Sequence, residues 1–293
     1  LSEPLLVRVT DDSLVVGGHE LPRPKGLNAR RFAGRMATWL APHEETQDRE
    51  ERRKRRDRVS AEFLRKFGRE LFDTLLGGGN AYAVYRDSAD GPIALDLPED
   101  LRKLPWELMH DGELWVAQSR GVVRAMEGGE ALGGQRTAGP LRVLALMSAP
   151  VLDPMHGAGD RAQPYVGDVE AYAAMFRELD GADFPARFEV VRHATLDDLR
   201  IGLEKGADIL YFDGHGNADG LLFDDGFGRT RGVDRFTVRQ RLQGSGVRVA
   251  ITNSCLTASQ ATGECPVAGM LVWAGVPVVV GMQTPILDTA AQC

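Results

Sequence analysis

The chain has 293 residues, enough for one large domain or two modest ones and for a sizeable buried core. Hydrophobic residues make up 43% and charged residues 26%, which excludes a largely disordered or collagen-like chain. With 35 basic against 42 acidic residues the net charge is −7, a poor basis for broad electrostatic binding to nucleic acid or an anionic membrane.

Residues 5–42 read as a small β/α lead-in, with a hairpin around Leu14-Val15-Val16 and Leu21 and a short helix over 28–40. The run 44–58 interleaves acids and bases, as a solvated helix face or linker does. The spacing of Phe63, Phe67, Leu71 and Leu75 predicts an amphipathic helix over 60–76, ended by Gly77-Gly-Gly-Asn80. Strands are expected at 81–85, 92–96, 114–118 and 122–125, with a turn-rich apolar knot at 104–112 around Trp106. The Gly-rich stretch 128–139 reads as a boundary. The expected divisions are therefore 1–59, 60–139 and 140–293.

Beyond 139, strands alternate with helices. Residues 141–149 are apolar without alternation, so both faces of that strand are buried. A helix follows over 166–179, then a strand at 188–193. Thr195-Leu-Asp-Asp198 forms a capping box for a helix over 196–205. Strands at 207–213, 247–253 and 276–281, a short hairpin at 220–225, and helices at 236–242 and after Pro266 complete the pattern. Such alternation implies a mostly parallel sheet flanked by helices, preceded by a smaller α/β subdomain. The apolar stretch 267–282 is too short for a membrane span and is broken by Gly275 and Pro277.

In an open parallel sheet, ligands bind outside the carboxyl ends of the strands. His215 follows the 207–213 strand and Cys255 follows the 247–253 strand, with one crossover between them. Neighbouring strands would bring a thiol beside an imidazole able to raise its thiolate fraction. The N–H groups of Gly216 and Cys255 are candidates for an oxyanion hole. A lone Cys is most often a small buried hydrophobe. Two reactive residues at adjacent strand ends, one flanked by glycines, make a stronger signal.

Leu210-Tyr-Phe-Asp-Gly-His-Gly216 resembles the histidine motif of the CHAT-type caspase-like cysteine peptidases, relatives of separase, caspases and gingipains. Val249-Ala-Ile-Thr-Asn-Ser-Cys255 is similar to their cysteine motif. Leu104-Pro-Trp-Glu-Leu-Met, Gly220-Leu-Leu-Phe-Asp-Asp-Gly226 and Val278-Val-Val-Gly-Met-Gln-Thr-Pro-Ile-Leu-Asp288 match the same pattern in the same order. The resemblance runs from about Ser60 to the end. It implies a caspase-like α/β sandwich and a cysteine endopeptidase with Cys255 as nucleophile, His215 as general base and acid, and Gly216 and Cys255 as oxyanion-hole amides.

It also implies that Asp288, and after it Asp213, lines a pocket for a basic P1 side chain. A protein or peptide substrate, an activating sensor or repeat module and a role in bacterial defence are further implications. Asn253 departs from the pattern, standing where some relatives carry Asp.

No metal or other cofactor is called for. Cys265 lacks the Cys and His spacing of a zinc site. No glycine cluster completes a phosphate-binding loop, and no Gly-x-Ser-x-Gly elbow is present. His19, His43, His110, His156 and His193 have no companion motif. Three cysteines at irregular spacing form no disulfide framework, so a reducing, cytoplasmic setting is expected. The sequence opens without Met and stops where a helix reads as beginning, so a piece of a longer chain is expected. Two other function classes stay open: a catalytically silent interaction scaffold, and a thiol-dependent amidase.

Overall fold

The structure is a computed structural model that describes residues 3–40, 54, 59–88, 91–126, 139–150, 152–153, 161–162, 169–181, 185–217, 219–255, 257–258 and 265–283. The charge run 44–58 and the Gly-rich segment 128–139 lie almost wholly outside these residues, as do Asp288 and Cys293. The chain divides into two compact units, Leu1–Met126 and Glu127–Cys293.

The first unit holds β1 (Leu5–Val9), β2 (Ser13–Val16), β3 (His19–Pro22), α1 (Ala33–Leu40), α2 (Ala61–Leu75), α3 (Gly79–Asp87), β4 (Ile93–Asp96), α4 (Glu99–Arg102), α5 (Val116–Ser119) and β5 (Val122–Arg124). Its strands form one sheet in the order β3-β2-β1-β4-β5. The Ser60 hydroxyl caps α2 by accepting the Phe63 N–H. The predicted stripe of α2 buries Phe67, Leu71 and Leu75. They share one core with Val7 and Leu14 of the lead-in and with Leu95 and Trp106, so the described residues 3–40 pack with those that follow Ser60 in one core. Trp106 is fully buried, and its indole N–H donates to the Leu101 carbonyl.

Two stretches expected as strands are helical. Residues 81–85 lie inside α3, where Ala81 and Tyr85, four apart, are the buried pair. The Tyr85 ring meets Phe72 of α2 edge-on at 5.1 Å. The run Ala-Tyr-Ala-Val-Tyr85 satisfies both alternation and four-residue spacing, and packing on α2 decides between them. In 114–118, Trp115 makes a single bridge to His110 before the chain turns into α5.

The second unit holds β6 (Leu141–Ser148), the two-residue strands β7 (Leu152–Asp153) and β8 (Arg161–Ala162), α6 (Val169–Gly181), β9 (Ala186–Arg192), α7 (Leu196–Glu204), β10 (Ile209–Gly214), β11 (Gly220–Asp224), β12 (Thr230–Asp234), α8 (Arg235–Leu242), β13 (Val249–Asn253), α9 (Val267–Trp273) and β14 (Val278–Gly281). Five strands form a parallel sheet in the order β14-β13-β10-β6-β9. One face buries Leu144, Leu146, Phe212 and Ala250 against Leu199 and Leu203 of α7, Val238 of α8 and Leu271 of α9. The other packs Ala145, Met147 and Tyr211 against Phe176 of α6. Both capping-box bonds between Thr195 and Asp198 are present at the start of α7.

The hairpin is longer than expected, pairing β11 with β12 from Gly220↔Asp234 to Asp224↔Thr230. It is tied to the end of β6, where the Ser148 hydroxyl donates to the Leu222 carbonyl at 2.7 Å. It is tied beyond β9 as well, where the Asp224 N–H donates to the Ala194 carbonyl. Among the described residues no helix is long and apolar enough to cross a membrane.

Gly220 makes the hairpin possible, because a Cβ there would overlap the Val233 carbonyl oxygen of the partner strand. That atom belongs to the backbone and cannot swing aside. Gly220→Ala is expected to destabilise the second unit by roughly 2 kcal/mol. Urea unfolding checks it, and wild-type stability would show that the strands can separate without cost.

Candidate active site

The site begins with backbone register. β10 and β13 pair in parallel from Ile209↔Val249 through Asp213↔Asn253. His215 and Cys255 each stand two residues past that last shared pair, at the carboxyl edge of the sheet. Both are partly exposed, and the Cys255 thiol is free. The two segments also pack together. A Cβ built on Gly216 would lie 3.0 Å from the Ser254 Cβ, 3.2 Å from the Gly220 carbonyl oxygen and 3.3 Å from Leu221 Cδ2. The residue after His215 thus rests on the residue before Cys255, and only glycine fits that approach without a shift.

The hairpin folds over this loop. Leu222 N–H donates to the His215 carbonyl at 2.9 Å, and Asn217 N–H donates to the Gly220 carbonyl at 3.0 Å. These bonds bracket an antiparallel bridge between Gly216 and Leu221. In such a bridge the N–H and C=O of the central residue point away from the partner strand. Among the described residues no hydrogen bond uses the N–H of Gly216 or of Cys255. Among the described residues, two backbone donors at the sheet edge are therefore unspent.

Asp213 lies on the same edge but is only 4% exposed, and its carboxylate accepts the Asn253 side-chain N–H at 2.7 Å. Two clefts of about 280 and 240 Å³ open at the amino ends of the strands, one lined by Arg142, Arg187 and Lys205, the other by Asp208, Arg248 and Pro277. Neither includes His215 or Cys255.

Residues 65–293 match the family model of the CHAT domain. The chain belongs to the CHAT domain family. The matched region begins within α2 and takes in His215, Gly216 and Cys255. Its parallel sheet with helices on both faces is the caspase-like α/β architecture of this peptidase-related family. A search of curated proteins finds no match to the chain.

The CHAT region holds its cysteine turn with a residue that the sequence reading passed over. Thr257 is completely buried. Its hydroxyl donates to the Ser254 carbonyl at 3.0 Å, accepts the Met282 N–H at 3.2 Å and lies 3.0 Å from the Thr252 hydroxyl. The Thr252 hydroxyl in turn reaches the Val280 carbonyl at 3.1 Å. Ala258 N–H donates to the Met282 carbonyl, and Ala268 N–H donates to the Thr257 carbonyl. One threonine thus joins the end of β13, the cysteine turn, the end of β14 and the start of α9. A small polar run, Asn253-Ser-Cys255 followed two residues on by Thr257, closing an apolar strand was the available sequence signal for a structured turn.

Thr257→Val strips partners from the Ser254 carbonyl and the Met282 N–H, and should cost about 2–4 kcal/mol in urea unfolding. Thr257→Ser keeps the hydroxyl, loses one methyl and should cost about 1 kcal/mol. Equal losses in both variants would mean that the hydroxyl is not what holds the turn.

Proposed function

We propose that the chain is a cysteine endopeptidase that uses a Cys255–His215 dyad on a specific protein target. The observation that carries this reading is the β10–β13 register, which sets both residues two positions beyond one shared strand pair. The packing of Gly216 on Ser254 supports it. So do the two unspent N–H groups, which suit an oxyanion hole.

In the proposed reaction the Cys255 proton passes to the His215 imidazole as Sγ bonds to the scissile carbonyl carbon. The electron pair displaced onto the carbonyl oxygen meets the N–H groups of Gly216 and Cys255. The C–N bond then breaks, and the imidazolium gives its proton to the leaving amine. Water attacks the remaining thioester, and His215 takes and returns a proton as that bond opens. A reducing, cytoplasmic setting suits a free thiol nucleophile.

We assign Asp288 to the wall of an S1 pocket for Lys or Arg. Asp213, buried beneath its bond to Asn253, acts in this reading by fixing Asn253 on the substrate side. A partner or sensor module is proposed to switch the site on.

A peptide acyloxymethyl ketone with basic P1 tests the dyad by intact-protein mass spectrometry. Wild type is expected to take one adduct and Cys255→Ala none. His215→Ala is expected to react slower by on the order of 100-fold. Equal labelling of wild type and Cys255→Ala overturns the assignment, and a wild type that takes no adduct even with its activating module present favours the scaffold. On a panel of P1 residues, Asp288→Ala should lose preference for Arg and Lys while Cys255 stays reactive. An unchanged preference removes Asp288 from S1.

A further inference from the structure

Among the described residues the buried serine and threonine hydroxyls are bonded, with one exception. Thr74, Ser148, Thr230, Thr252 and Thr257 are buried and each has a partner. Ser254 is 2% exposed, and its Oγ has no hydrogen-bond partner among the described residues. The other unpartnered buried atom, Arg235 Nε, belongs to a guanidinium already anchored through Nη1 on Asp219. Ser254 therefore carries a whole functional group unspent, one donor and two lone pairs.

An unsatisfied buried hydroxyl costs free energy and calls for a reason. Its position supplies one. Ser254 immediately precedes Cys255, and its Cβ lies 3.0 Å from the Cβ position of Gly216, which immediately follows His215. Its own carbonyl is fixed by Thr257, so the cysteine side is pinned. Across from it, the Gly216 N–H and C=O take part in no hydrogen bond among the described residues. The His215 loop is pinned one residue to either side, at the His215 carbonyl and the Asn217 N–H. Among the described residues, unspent groups thus lie on both sides of the seam between the two dyad segments.

Resting on the dyad reading, we infer that Ser254 is a positioning residue whose hydroxyl takes a partner on the His215–Gly216 loop when the site closes on substrate. The bond is absent at rest and present in the reacting complex. It therefore favours reaction over binding. It also holds the Gly216 N–H on the developing oxyanion while the substrate pulls on it.

The test compares wild type, Ser254→Ala, His215→Ala and Cys255→Ala with the basic-P1 ketone, separating the maximal alkylation rate from the concentration that half-saturates it. Thermal melting is read alongside. Ser254→Ala should melt at or above the wild-type temperature, because it removes an orphan group from a buried position. Its maximal rate should fall about tenfold, the effect of one ordinary neutral hydrogen bond, with half-saturation unchanged. A maximal rate equal to wild type overturns the inference. A rate loss accompanied by a lower melting temperature also overturns it, since that marks a structural role. Failure of the dyad reading looks different: wild type, His215→Ala and Cys255→Ala then react alike or not at all, and both proposals fall. A full rate in Ser254→Ala beside a slow His215→Ala sinks only the role of Ser254.

Discussion

The side-by-side pairing of β10 and β13 is the constraint on which the carboxyl edge of the second sheet depends. The register Asp213↔Asn253 is a backbone fact, and a side-chain bond of 2.7 Å between the same two residues reinforces it. A slip of one residue would turn Asp213 and Asn253 to opposite faces of the sheet and break that bond. It would also stagger His215 against Cys255. Nearby, Gly214 pairs with Ser148, whose carbonyl oxygen would lie 2.8 Å from any Cβ at that position. Three strand ends therefore converge, and glycines at 214, 216 and 220 remove the side chains that would hold them apart.

At this edge the polar groups fall into two classes. The Ser148 and Thr257 hydroxyls, the His215 carbonyl and the Asn217 N–H are committed to holding chain segments in place. The N–H groups of Gly216 and Cys255 and the hydroxyl of Ser254 are uncommitted among the described residues. Fold stability needs only the first class. A scaffold with no chemistry would gain by satisfying the second. That imbalance supports the proposed dyad separately from likeness to any family.

Much of this was legible in the sequence, because the responsible interactions are local. The stripe of Phe67, Leu71 and Leu75 set α2, the Thr195–Asp198 box set α7, and the unbroken apolar run from Leu141 set the central strand β6. Adjacency of the His215 and Cys255 strands followed from a single crossover between them. What stayed hidden depends on distant partners. Ala81 and Tyr85 are helical because Phe72 packs on them. Strand β12, Thr-Arg-Gly-Val-Asp234, has no apolar alternation and exists because β11 pairs with it. Thr257 and Ser254 look like ordinary turn residues until hydrogen bonds gather on the hydroxyl of one and, among the described residues, none reaches the hydroxyl of the other.

The bonds of Thr257 also set how force passes through the unit. One hydroxyl touches the carbonyl before the cysteine and the amide just past β14, so those segments are mechanically in series. Displacing Met282 must either rupture this link or drag the cysteine turn along. Met282, just past β14, is thereby coupled to the turn that carries the thiol, through a link inside the protein and out of reach of solvent.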